Sequence, residues 1–268
     1  MHRIIILLSF SILFSGLAYS QSTTFQPKQL SNEAKGLVYD KELSFDLRLH
    51  TNGWAIAANI GRIQSYYKTK YYHIEIGELK HPKEHRQSFD YPNQFSNRTS
   101  KSFVFGKENN LYAIRAGIGM KRYFSEKAKR KGVAVGISYE AGPTLGLLKP
   151  YYLDFWRTQD GDPSNIVLIS EKYDGTNAAT FLDNNAIYGA SGFSKGFSEI
   201  KPIPGIHGKL SVHFDWGAFD QFVKAFEAGI MVDVFLKKTP IMVSEVEFVE
   251  NRPYFVNLYL TLQLGKRW

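Results

Sequence analysis

From Tyr254 to Gly265 the chain alternates without a slip. Tyr254, Val256, Leu258, Leu260, Leu262 and Leu264 share one parity, and Phe255, Asn257, Tyr259, Thr261, Gln263 and Gly265 share the other. A period of two belongs to a β-strand, and six apolar side chains in file must lie against something other than water. The pattern recurs seven more times. Leu43, Phe45, Leu47 and Leu49 alternate with Ser44, Asp46, Arg48 and His50; Trp54, Ile56, Ala58 and Ile60 alternate with Ala55, Ala57, Asn59 and Gly61. Further alternating segments cover residues 70–79, 112–120, 133–140, 209–216 and 226–234. Beyond residue 20 no apolar run approaches the roughly 20 residues that a spanning helix needs. Any membrane crossing must therefore be made by strands closed into a barrel, because open edges cannot sit in lipid. The expected fold is all-β, an eight-stranded antiparallel transmembrane β-barrel.

Alternation alone does not say which parity is inside. A soluble calycin-like barrel buries the apolar parity, and a membrane barrel turns it to lipid. The polar parity decides between them. A face turned to water should be rich in Lys and Glu. Here Gly, Ala, Ser and Asn dominate, with one or two charges of either sign per strand. Arg48, Glu75, Arg115, Glu140, Lys209, His213, Glu227 and Asp233 are expected to form a paired lumen network, since an eight-stranded barrel is only wide enough to be filled by side chains. Buried charges must pair, so the interior should be occluded.

Connection lengths point the same way. With strand one running outward, the inner turns fall near residues 65–68, 125–131 and 218–222. The outer connections are residues 52–53, 80–110, 145–205 and 236–252, three of them long. Short periplasmic turns and long external loops are the habit of outer-membrane barrels. Asn52-Gly53 reads as a type I′ hairpin turn. Residues 218–226 are the best helical candidate. Trp54, Tyr71, Tyr72, Tyr123, Phe124, Trp216 and Tyr254 sit near strand ends, where interfacial girdles lie.

The first twenty residues read as a cleaved signal peptide: Arg3 is the positive n-region, an apolar stretch follows, and Ala18 and Ser20 precede Gln21. Residues 21–42 read as a periplasmic lead-in and 43–268 as the barrel, with both termini periplasmic. Arg3 is the only Lys, Arg, Asp or Glu lost with the leader, so the formal charge falls from +8 to about +7. Outer-membrane lipid and lipopolysaccharide are natural partners for that modest surplus, and nucleic acid is not expected. Cysteine is absent, which rules out a lipobox, disulfides and thiolate chemistry.

Motifs of enzyme chemistry are missing: there is no GxSxG elbow, HExxH, CxxC or P-loop. Gly189-Ala190-Ser191-Gly192 reads as turn chemistry. His213 and Ser211 share one strand face, expected to be the interior, where they pack the lumen. His81 and His85 could share a metal only on a helix, which Pro82 opposes, so the segment reads as a loop packed on the rim. The basic run at residues 125–131 reads as a solvated turn. Neither catalytic residues, metal nor cofactor is expected. Tyr151, Tyr152, Phe155 and Trp156 form a candidate contact patch in the longest loop, because rigid aromatics dominate interface hot spots.

The segments YYHIEIGELKHPKEHRQ and LYAIRAGIGMKRYFSEKAKRKGVAVGISYEAGPTLGLLKPYYL resemble stretches of uncharacterised outer-membrane β-barrel proteins of Bacteroidota. The terminal Trp268 resembles the aromatic signal read by the barrel-assembly machinery, although Lys266 and Arg267 intervene. Some small barrels of that group serve type IX secretion and gliding. The resemblance implies a non-enzymatic scaffold or partner-binding component of an envelope complex. A narrow solute channel and a lipid- or lipopolysaccharide-modifying barrel enzyme are the alternatives.

Overall fold

The computed structural model describes residues 39–65, 67–88, 100–124, 132–158, 165–218 and 220–268. The leader, all but the last residues of the lead-in and the basic run at 125–131 lie outside the described residues. In chain order the elements are β1 (Lys41–His50), β2 (Gly53–Ser65), β3 (Lys68–Leu79), β4 (Arg86–Gln87), β5 (Phe103–Val104), β6 (Asn109–Tyr123) and β7 (Ala134–Pro150). They continue with β8 (Tyr152–Thr158), β9 (Ile166–Lys172), a one-turn helix α1 (Ala178–Phe181), β10 (Ile187–Ala190), β11 (Lys201–Asp215), β12 (Phe222–Phe235) and β13 (Tyr254–Arg267).

Eight of the strands close a barrel in the order β1-β13-β12-β11-β7-β6-β3-β2, with every neighbouring pair antiparallel. The seam between first and last strands is complete from Glu42–Arg267 to His50–Tyr259. Trp268 locks its lower end, accepting from the amides of Asp40 and Lys41 and donating to the Lys41 carbonyl. Closure leaves the barrel no edge, the condition for strands in lipid.

The barrel is inside-out. Leu258 is 62% exposed while its neighbour Asn257 is fully buried, and the same contrast runs around the wall. Phe45, Leu47, Leu49, Ile60, Tyr72 and Ile74 all point outward. A continuous apolar girdle of this extent is far beyond the few-hundred-Å² patches that a protein carries in water. It is the surface of an outer-membrane-type β-barrel, which exchanges those side chains into hydrocarbon.

The two ends differ. One carries the start of β1 and the end of β13; the other, the loop end, carries the described residues 80–88, 100–108, 151–158, 165–200 and 236–253. β7 and β11 extend past the wall expected from sequence, so the longest connection is 151–200 and not 145–205. The barrel also begins at Lys41, two residues early. Three further expectations are corrected. The β1–β2 turn is centred on Thr51-Asn52, with His50 paired to Gly53, and Asn52 keeps a negative φ, so the turn is not type I′. Its geometry is set by neighbours: Thr51 donates to Leu258, Asn52 accepts from Lys80, and Gly53 (φ 147°) lies so close to Glu78 that a Cβ would strike its carbonyl. In the expected helix 218–226, the described residues 220–226 form a bend and the start of β12, because barrel pairing overrides weak helical propensity. Tyr71 and Tyr123 leave the girdle for the interior. Gly119 makes room for the Tyr71 ring, whose hydroxyl meets Ser138 at 2.9 Å.

Candidate functional site

Inward parity brings the lumen charges together. Arg115 donates to Asp233 through Nε and Nη2 at 2.7 and 2.9 Å, and through Nη1 to Glu75 at 2.5 Å. Glu75 is the hub, since its other oxygen also receives Arg48 and Lys209. Lys209 reaches Glu140 at 3.1 Å, and Arg48 stacks over the Tyr259 ring. A second group joins His213 to Glu227 at 2.8 Å and to Tyr123. All eight lumen residues expected from sequence are thus buried in the barrel and paired. Sequence reasoning left out Glu42, His73, Lys121, His207, Asp215 and Arg267. Toward the terminal end Glu42 receives both Lys121 and Arg267 at 2.8 Å, and Arg267 continues to Asp215. Parity was the signal: each lies on the inward file of its strand.

This arrangement packs the lumen at the level of the ion pairs. Arg115, His213 and Asp233 are completely inaccessible, although an open bore would bathe them. Above them the lumen changes character. Leu79, Leu111, Leu148, Phe235 and Phe255 make an apolar layer, and Ile241 and Met242 fold in from the last loop to complete it. The loop is pinned there by Asn251, which takes the amides of Ile241 and Met242 and returns a bond to the Met242 carbonyl. The mouth at the loop end is therefore plugged by hydrocarbon over a bed of ion pairs.

Outside the mouth the three long loops fold as a head. β8, β9 and β10 form a separate sheet in the order β10-β8-β9, and β4 pairs with β5. Phe103, Leu153, Phe155, Phe181, Ile187 and Val243, drawn from all three loops, make a buried core beneath it. Ser191 donates to Asp154 at 2.6 Å and its hydroxyl oxygen lies 2.9 Å from that of Ser170, which ties the three strands of the head sheet together. The Gly189–Gly192 motif is accordingly a strand and its exit, and its serine is engaged in a structural knot. His81 and Glu84 close a tight turn whose carboxylate holds Lys107 at 2.6 Å, so this segment packs on the rim. No cluster of three metal-binding side chains occurs among the described residues.

The aromatic patch divides. Phe155 is fully buried in the head core, because alternation along β8 turns it under the sheet with Leu153. It offers nothing to a partner. Tyr151, Tyr152 and Trp156 are part-exposed: Trp156 packs edge-on against Tyr188, and Tyr152 donates to Glu199 at 2.5 Å. His213 and Ser211 both lie in the lumen, and His213 spends its ring nitrogens on Glu227 and Tyr123. At the joint between head and plug, Glu108 holds the Ile241 carbonyl and the Tyr151 amide through its backbone. Burial pushes its carboxyl up to about 7, with Glu245 adding to the rise.

Neither a family model nor a curated protein matches the chain. Among solved structures it is similar to the N-terminal β-barrel domain of Pseudomonas aeruginosa OprF, at 7% identity and TM-score 0.33, covering 86% of this chain and 98% of that one. It is also similar to Ail, the attachment invasion locus protein of Yersinia pestis, at 8% identity and TM-score 0.36, covering 86% and 99%. Both superpositions are loose.

Proposed function

We propose that the protein is a non-enzymatic outer-membrane barrel whose loop head binds a partner, as a scaffold or docking component of an envelope complex. One contrast carries this reading: the barrel is sealed, whereas three long loops share a core on the end opposite the termini. Folded loops on a rigid scaffold are where binding functions reside. The termini would then be periplasmic and the head external, with Trp268 offered to the barrel-assembly machinery on the lipid-facing parity. Tyr151, Tyr152 and Trp156, exposed in part on the head, are the aromatics of the patch left to meet a partner. A role in secretion or gliding is the finer form of the proposal and rests on the sequence resemblance. The ion-paired lumen counts against a solute channel, and the engagement of His213 counts against its use as a base.

The test is crosslinking and affinity purification from native membranes, with residues 152–199 intact or replaced by a short Gly/Ser turn. Leu148 and Lys201 are paired neighbours, so the replacement leaves the barrel ends side by side. Loss of an envelope component from the purified set is the expected result. Retention of every component by a folded, head-less barrel defeats the proposal.

A further inference from the structure

We infer that the wall under the head, over β2, β3 and β6, binds a phosphate-bearing lipid of the leaflet at the loop end. Its headgroup would sit in a cationic groove below the head, and an acyl chain would lie in a furrow on the barrel wall. The furrow follows from the cross-strand rows. One row reads Leu47–Ile56–Ile76–Ile114, and the next reads Phe45–Ala58–Ile74–Ala116. Ala58 in the second row hollows an otherwise bulky surface, and the resulting space of about 610 Å³ is almost wholly apolar.

Ile56 and Ile76 belong equally to a second groove, of about 670 Å³, that continues past Trp54 and Tyr112 to the underside of the head. There the chemistry changes. Arg86, Lys101, Lys149 and Lys195 line it against a single carboxylate, Glu78, which already has Lys80 at 3.5 Å. Arg86 and Lys101 are exposed and meet no carboxylate among the described residues. Lys149 is the telling residue. It is only 3% exposed, its ammonium lies 4.2 and 4.7 Å from the Phe193 and Phe197 rings, and it donates to the Phe193 carbonyl. No acid pairs with it among the described residues, and a lysine so covered is ordinarily found with one.

An apolar furrow that runs directly into a cationic groove matches an amphiphile with hydrocarbon at one end and an anion at the other. Arginine and lysine are the usual receivers of phosphate oxygens, and basic clusters at a membrane surface draw anionic headgroups. A free anion would have no use for the furrow, and a neutral lipid none for the three exposed cations, Arg86, Lys101 and Lys195.

The test uses the full chain in phosphatidylcholine nanodiscs seeded with a small fraction of bisphosphorylated lipid A, or with the same lipid dephosphorylated. Native mass spectrometry counts lipid retained on the released barrel. The phosphorylated lipid should be retained and the dephosphorylated form should not. Arg86→Glu with Lys101→Glu should lower retention about tenfold or more, and Ala58→Phe should lower it severalfold by filling the furrow. Both variants change exposed or lipid-facing positions, and heat-modifiable migration checks their folding. Lys101→Gln and Ala58→Leu replace any variant that fails it. Equal retention of both lipids, or wild-type retention by either folded variant, overturns the inference. The disc contains only this chain and lipid, so the result is independent of whether the head binds a protein.

Discussion

Replacing Arg115 by Met should be among the most damaging single changes the lumen can suffer, because of what it strands. Asp233 is completely buried and takes both of its hydrogen-bonded charge contacts from Arg115. Among the described residues no second cation reaches it. Removing one partner of such a pair costs about 3–5 kcal/mol, most of it the penalty of an uncompensated buried charge. Glu75→Gln makes the informative contrast. Its three cations each keep another acid: Arg48 has Asp46 at 3.7 Å, Arg115 has Asp233, and Lys209 has Glu140. The cost should drop to about 1–3 kcal/mol, the range for a weakened buried hydrogen bond. Removing both charges with Arg115→Met and Asp233→Leu should recover most of the loss, since apolar replacement of a whole buried pair is often neutral. The assay is urea unfolding of the barrel in detergent micelles, followed by tryptophan fluorescence. A loss under about 1 kcal/mol for Arg115→Met, or a double variant no better than the single, would refute the reasoning.

Phe155→Ala should unfold the head by about 3–5 kcal/mol, whereas Trp156→Ala should leave it folded; limited proteolysis of the loops, with the barrel intact, distinguishes them. Glu108 has its folded pKa raised from 4.5 to about 7, so the head-to-plug joint should be fully stabilised below about pH 4.5 and lose that contribution as pH rises through 7. Hydrogen exchange of residues 239–243 should therefore quicken from pH 5 to 8 beyond its intrinsic rate, and Glu108→Gln should abolish that excess; an unchanged excess would contradict the assignment. Planar-bilayer recordings should give no large, stable conductance, because interior pairs and the apolar plug fill the bore; porin-like steps would contradict it.

The barrel was legible because lipid and lumen impose opposite chemistries on alternate residues, and each strand states its own parity. Leu258 against Asn257 needs no distant information to be read. The same rule would have placed Glu42, Lys121 and Arg267 in the lumen had it been applied to every inward position. The head was illegible for the opposite reason. Its core joins Phe103, Phe181 and Val243 across three loops, and their surrounding segments are too short to carry a period. Phe155 therefore looked like an exposed anchor, when its partners lie 52 residues upstream and 26 and 88 residues downstream. The β1–β2 turn failed similarly, since contacts from Leu258 and Lys80 outweigh the local preference of Asn-Gly.

The orientation of the parities bears the rest of the account, and depth-resolved quenching tests it directly. Single tryptophans would be placed at Leu260 and at Thr261, adjacent in β13 but 51% and 0% exposed, in a background with the four native tryptophans replaced by Phe. Reconstituted in bilayers with brominated acyl chains, Leu260→Trp should be strongly quenched. Thr261→Trp, facing the packed lumen, should be quenched far less; the more conservative Tyr259→Trp, on the same inward file, serves if it does not fold. Strong quenching at 259 or 261 with protection at 260 would mean that the leucines face a core, and the inside-out barrel would be wrong.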